Sequence, residues 1–437
     1  AAGASVGLGN IWRFPYLAAK YGGGIFLLVY IILALTFGYT LIMAETSLGR
    51  MTRKSPVGAF ESFGNSRFIS IGGWINAIIP ILIVPYYSVI GGWVIKYLIE
   101  YFAGHSKTLA GDAYFTTFIS NGWSTEICFI IFTLFTLGII YAGVRNGIER
   151  VSKFMMPILI VLSLIIAVYS VTRPGAIEGV KYFLVPNFDH FSWMTVVSAM
   201  GQMFYSLSIA MGILITFGSY MKKDTSIEKS TENVEIFDTA IAIMAGLMII
   251  PAVFAFSGGN AETLKSGPAL MFITIPKVFA NMGFGTAIGV VFFLLVLFAA
   301  VTSSIALTES AVSTFEDELH WSRKKSTVFM GMVMLLLGTL SCLGYGPLAN
   351  FKILGMQFLD FFDFITNSVM MPIAAIATCL LVSKVVGVDK IEEEIKKDGQ
   401  AFRRKKIFCF MIKYLCPLFA AIILISSVAN AFGIITM

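Results

Sequence analysis

Charge is what this sequence has least of. Only 13% of its 437 residues are Asp, Glu, Lys or Arg, while 57% are apolar; an ordinary soluble domain carries about 25% charged residues. That balance excludes a water-soluble enzyme and leaves no room for a separate soluble domain. Histidine is nearly absent: His105, His190 and His320 all fall in or beside loops. Neither an H-E-x-x-H zinc pattern nor a phosphate-binding glycine loop occurs. Gly3-Ala-Ser5-Val-Gly7 matches a nucleophile elbow literally, but it lacks the strand–turn–helix context and a histidine partner. The five cysteines are odd in number and unpaired in spacing, which suits small buried hydrophobes. The absence of any Asn-x-Ser/Thr triplet argues against a glycosylated eukaryotic surface protein. The chain opens without Met and inside a motif, so a preceding stretch is expected.

Long apolar runs are what it has in quantity, with a mean hydropathy of +0.84. A spanning helix needs about 20 apolar residues. Runs bounded by Gly, Pro and charge predict eleven spans, near 1–20, 24–48, 71–102, 124–143, 154–172, 192–220, 237–257, 285–312, 327–343, 359–386 and 407–433. If the chain starts inside, the inner connections hold twenty-one Lys and Arg and the outer ones six. This bias orients the N-terminus in the cytoplasm and the C-terminus outside. The net charge of +6 therefore reads as loop topology, not as a nucleic-acid surface. Outer segments 173–191 and 258–284 are too broken to span and too apolar to float, so they are expected to cap the outer mouth. Segment Asp389–Lys406 reads as a charged, solvated stretch, pictured as a short surface helix without a binding role.

Two spans carry weak points. The first contains three glycines in seven residues, Gly3, Gly7 and Gly9, with Ser5 and Asn10 among them. Each glycine costs about 0.8–1 kcal/mol against Ala inside a helix. The sixth carries Phe204-Tyr-Ser206-Leu-Ser208-Ile-Ala-Met211-Gly212. Unwound backbone in hydrocarbon must be satisfied by protein, water or ions, so two such breaks imply a lined cavity between them; close helix packing is the other use of small residues. Spans one and six correspond if spans 1–5 and 6–10 form inverted halves, over about 1–172 and 192–386, with 407–433 extra. The eighth span adds Thr302-Ser303-Ser304, whose hydroxyls either face that cavity or bond back to their own helix. Arg13, Glu45, Asp238, Glu309, Asp360 and Asp363 lie within spans, where each suggests a site or a partner. An Arg13–Asp363 pair would close the outer mouth, and Glu45 is expected to bond backbone at a break.

With Gly7-Leu-Gly-Asn-Ile-Trp-Arg-Phe-Pro15, Tyr86-Tyr87, Gly201-Gln202 before the Ser206-Leu-Ser208 break, and Thr302-Ser303-Ser304, the whole chain resembles the neurotransmitter:sodium symporter family, in its bacterial branch. The resemblance implies an all-α polytopic membrane protein of the leucine-transporter type, multi-pass in the plasma membrane of a prokaryote. It implies sodium-driven uptake of an amino acid, with oligomerisation possible but not required. One sodium would be held by carbonyls of Gly3, Val6 and Ala299 and the hydroxyls of Thr302 and Ser303. The other would take the Ser5 carbonyl, Asn10, Ser206, Asp238 and the substrate carboxylate. That carboxylate would meet the amides of Leu8 and Gly9 and the Tyr87 hydroxyl, and the ammonium the carbonyls near Tyr205, Ser206 and Ser208. Val84, Tyr205, Ser208, Met211, Ser303 and Leu307 would bound a pocket for a hydrophobic or aromatic L-amino acid. Arg13, Asp363 and Gln202 belong to the outer gate by the same resemblance, and Ser219, Tyr220, Glu309 and Asp317 to the inner one. Asp238 stands where many relatives carry Asn, and Ala242 one turn on offers neither charge nor hydroxyl. The Asp238 carboxylate is thus expected to replace chloride. A transporter of an amine or osmolyte, and an amino-acid receptor that has lost transport, are the alternative readings. Amine-specific relatives tend to carry an acid where this chain has Gly9.

Overall fold

The structure is a computed structural model that describes residues 6–258 and 269–434. Among those residues nine helices are long and apolar enough to cross a membrane. In chain order they are the second span, Gly24–Thr52, the third to fifth, Arg67–Phe102, Gly122–Tyr141 and Val144–Val171, and the seventh to eleventh, Ile227–Ser257, Gly285–Leu319, Arg323–Leu343, Phe358–Val386 and Lys405–Ala431. The described part of the first span and the interrupted sixth span complete the expected eleven as shorter helices. The main departure from the sequence reading is at the inner ends, where the seventh span begins ten residues earlier than residue 237 and the eighth runs on to Leu319. These turns carry charge, so hydropathy alone stops short of them, although the helical hydrogen bonds continue.

The first span is π-helical over Gly9–Arg13 and α-helical over Phe14–Lys20. It stops at Gly22 and Gly23, whose φ values of +98° and +61° favour glycine. The sixth opens on a capping box between Ser192 and Thr195, runs over Trp193–Ser206, breaks, and resumes over Ile213–Ser219. Ser208, Ala210 and Gly212 all have positive φ at the break. Glu45 of the second span bonds this broken backbone, accepting the Ala210 amide at 2.7 Å. In the third span Pro80 cannot donate to the Asn76 carbonyl. Gly212 packs there so closely that an added Cβ would lie 2.8 Å from that oxygen.

Both outer segments cap the bundle in their described parts. Helix Ala176–Leu184 lies on the seventh span, and the Tyr182 hydroxyl donates to the Ala19 carbonyl at 2.6 Å. Helices Leu270–Thr274 and Ile275–Ala280 dip inward, stacking Phe272 on Phe115 at 5.0 Å with Trp93 edge-on at 5.8 Å. Asn260–Leu264 lies outside the described residues.

The segment read as solvated is instead docked. Helix Val388–Ile395 buries Ile391 and Ile395 completely. Glu394 reaches Arg50 of the second span at 2.7 Å, both side chains sealed from solvent. Arg50 also donates to the Thr225 carbonyl at 2.6 Å, and the Arg403 amide donates to Glu228 at the start of the seventh span. Arg404 completes the join, meeting Glu235 at 3.1 Å and lying 4.4 Å over the Tyr39 ring.

Candidate functional site

The start of the described first span and the break in the sixth face each other across a small cavity of about 30 Å³, walled also by the third and eighth spans. Leu8, Gly9, Tyr87, Tyr205, Ser206, Ser208, Met211, Ser303 and Leu307 line it, as the sequence reading expected. Val84 does not; it is fully buried in helix packing, and Ile83 takes the place on the cavity wall. Both lie one turn before Tyr87, so helical spacing permits either, and the rotation of the third span decides. Ile213, the first residue after the sixth-span break, also lines the cavity and carried no motif.

Backbone groups at the start of the described first span are held by named side chains. Asn10 accepts the Gly7 amide at 3.2 Å, and the Leu8 amide points at the Tyr87 hydroxyl, 3.4 Å away. Gln202 is fully buried and donates to the Gly9 carbonyl at 3.0 Å, which braces the first span where it meets the sixth. Gly9 is forced by contact: a Cβ there would lie 2.3 Å from Cδ1 of Tyr205.

Two oxygen-rich clusters flank the cavity. In one, Asp238 gathers Asn10 Nδ2 at 2.8 Å, the Ser206 hydroxyl at 2.5 Å and the Tyr30 hydroxyl at 2.7 Å. Tyr30, in the second span, was invisible in the sequence because an aromatic in an apolar helix reads as packing. In the other, Thr302 Oγ1 lies 3.3 Å from the Val6 carbonyl and 3.1 Å from that of Ala299. Ser303 Oγ lies 3.2 Å from the same Val6 oxygen. Ser304 turns away to share a hydrogen bond with Thr136 at 3.2 Å. Apart from the Asn10 amide nitrogen, both clusters offer neutral and carboxylate oxygens and no sulfur, which suits a hard cation. Gly3 and Ser5, the remaining expected donors, lie outside the described residues.

Outside the cavity, Asp363 accepts from Tyr86 at 3.2 Å and Asn367 at 2.5 Å. Arg13 makes no direct ion pair with it among the described residues; its guanidinium lies 5.5 Å over the Tyr205 ring. On the inner side the Tyr220 hydroxyl donates to Glu309 at 2.7 Å, and Arg323 forks onto both Glu309 oxygens at 3.0 and 2.5 Å. By sequence Arg323 reads only as loop charge; a buried acid ten residues before the helix end at Leu319 is the available signal. Asp317 accepts the Ser55 amide at 2.5 Å, and the Ser219 carbonyl accepts from Arg53 at 3.1 Å.

The model of the sodium:neurotransmitter symporter family matches residues 1–129 and 115–434. A sodium-dependent transporter of Bacillus subtilis, YhdH, is 33% identical over 100% of this chain and 96% of its own length. One of Haemophilus influenzae is 30% identical over 98% of this chain and 95% of its own. A sodium- and chloride-dependent GABA transporter of Drosophila melanogaster is 26% identical over 96% of this chain and 49% of its own. The crystal structure of MhsT in complex with L-phenylalanine superposes with a TM-score of 0.87 at 33% identity, covering 98% of this chain and 96% of that one. With the start of the described first span and the break in the sixth around a shared cavity, this chain belongs to the sodium:neurotransmitter symporter family and is a sodium-dependent membrane transporter, not an enzyme.

Proposed function

We propose that the protein takes up hydrophobic or aromatic L-amino acids by sodium-coupled alternating access. The cavity between the first and sixth spans carries this reading. It offers the Leu8 and Gly9 amides and the Tyr87 hydroxyl to a carboxylate and the sixth-span carbonyls to an ammonium, with no Asp, Glu, Lys or Arg among its lining residues. A charged side chain would be buried there unpaired, at a cost of several kcal/mol. The likeness to a transporter that holds L-phenylalanine supports a large apolar side chain. Met211 is the adaptable wall, and it must swing with Tyr205 to admit such a substrate.

Two sodium ions are co-substrates in this reading. Gly3, Val6, Ala299, Thr302 and Ser303 would hold one; Ser5, Asn10, Ser206 and Asp238 the other, together with the substrate carboxylate. A shared carboxylate makes each ligand raise the affinity of the other. Asp238 supplies the negative charge beside that ion, so transport needs no chloride, and its protonation as sodium leaves returns a proton. The chain starts inside and ends outside the plasma membrane, with inverted halves over about 1–172 and 192–386. Tyr87 and Tyr205 form the lid, Arg13 and Asp363 meet through water in the outer gate, and Tyr220, Glu309 and Arg323 seal the inner side. An inward potential contributes about 2.3 kcal/mol per charge per 100 mV.

Uptake of labelled L-phenylalanine, tyrosine, tryptophan and leucine into proteoliposomes tests this, under a sodium gradient with potassium and choline controls and with chloride replaced by gluconate. Sodium-dependent uptake, undiminished in gluconate, is expected. Stimulation by chloride would sink the role given to Asp238. Sodium-dependent binding without uptake would favour a receptor, and silence across the panel an amine or osmolyte carrier.

A further inference from the structure

Between the fourth, fifth and eighth spans a slot of about 350 Å³ opens on the side of the bundle. Its floor is Met155 and Val301, 4% and 1% exposed, and its rim is Phe135 and Phe154, 54% and 66% exposed. Every lining residue is apolar except Arg150. The Arg150 side chain is exposed and makes no hydrogen bond or ion pair with any described residue. Arg145 lies five residues earlier on the same stretch, and Lys324 at the start of the ninth span lies 5.8 Å over the Tyr141 ring. The acid of this stretch, Glu149, is taken by Lys153 at 2.6 Å. The result is an apolar slot with surplus positive charge at its inner end.

Plain lipid-facing helix needs no cation beside a deep slot, whereas an anionic phospholipid needs both features. Its phosphate meets an arginine at the interface, and its acyl chain leaves the bilayer for a protein-lined slot. We propose that this slot is a binding site for an anionic phospholipid, with the headgroup on Arg150 and one acyl chain between the three spans. The slot also touches the back of the turn that carries Thr302, because Phe298 and Val301 line it while the Thr302 hydroxyl lies 3.0 Å from the Phe298 carbonyl. A seated chain therefore steadies that turn against the first span; this second consequence rests on reading Val6, Ala299, Thr302 and Ser303 as a sodium site.

The test titrates the delipidated full-length protein with phosphatidylglycerol or phosphatidylcholine and counts bound lipid by native mass spectrometry. The wild type should hold phosphatidylglycerol about fivefold tighter, the effect of one interfacial cation. Arg150→Gln should erase the preference, and Lys390→Gln, which removes an exposed charge elsewhere, should keep it. Val151→Trp fills the slot and should weaken both lipids, which keeps the proposal testable if the arginine variant does not fold. Equal affinity in the wild type, a preference that survives in Arg150→Gln, an equal loss in Lys390→Gln, or unweakened lipid binding in Val151→Trp would overturn it. So would full displacement by soluble glycerol 1-phosphate, which would assign the site to free phosphate. Thermal stabilisation by sodium should be larger with phosphatidylglycerol bound. If only that increment fails, the lipid site stands and the link to the sodium site falls.

Discussion

Gly9 lines the cavity, and the Tyr205 ring covers the place where a Cβ would be. Gly9→Ala brings a methyl to 2.3 Å of that ring, whereas Gly201→Ala meets nothing within 4 Å. Overpacking of this kind costs about 1–3 kcal/mol. Gly9→Ala should therefore weaken sodium-dependent binding of labelled L-phenylalanine about tenfold, with Gly201→Ala near wild type. Equal affinities in the two variants would show that Tyr205 yields freely. At this scale the sequence was most informative where a residue type is costly. Glycines in a span, Asn10 and Asp238 in hydrocarbon, and Glu45 beneath the break could all be singled out because each is expensive without a partner. Ile83, Ile213 and Tyr30 could not, since an apolar or aromatic side chain is affordable on any face of such a helix.

The inner half of the sixth span is held by backbone proximity to the second. A Cβ at Gly49 would lie 2.0 Å from the Ile215 carbonyl, and one at Gly218 would lie 2.5 Å from that of Thr46. Glycine at both places lets the two helices touch main chain to main chain. Gly49→Ala should destabilise the protein by about 1–3 kcal/mol. Gly138→Ala in the fourth span, with nothing within 4 Å, should be neutral or stabilising by about 0.5–1 kcal/mol. Denaturant titration in detergent micelles measures both, and equal destabilisation would remove the contact explanation. Helix breaks were legible in the sequence as clusters of small residues. Inner boundaries were not, because a charged turn that continues a helix has the composition of a loop.

Over the whole molecule, the connection between the tenth and eleventh spans ties the second span to the start of the seventh. Arg50 and Glu394 are 0% and 3% exposed, so neither charge has water to fall back on. Arg50→Gln leaves a buried carboxylate with only Lys397 beside it. A loss of about 3 kcal/mol in unfolding free energy is expected, with partial recovery in the double variant Arg50→Met, Glu394→Leu. An unaffected midpoint in Arg50→Gln would mean the pair contributes nothing. By itself the sequence determined the number of spans, the two interruptions and the residue types that would be costly in lipid, because hydrocarbon penalises unsatisfied backbone and charge wherever they stand. Only the tertiary structure decided that Ile83 and not Val84 walls the cavity, that Gln202 braces the first span, that Arg323 sits on Glu309, and that residues 388–404 are docked. Each of these depends on how helices rotate and approach one another, and a one-dimensional pattern of polarity is the same for a charged segment in water and for one sealed against a partner of opposite charge.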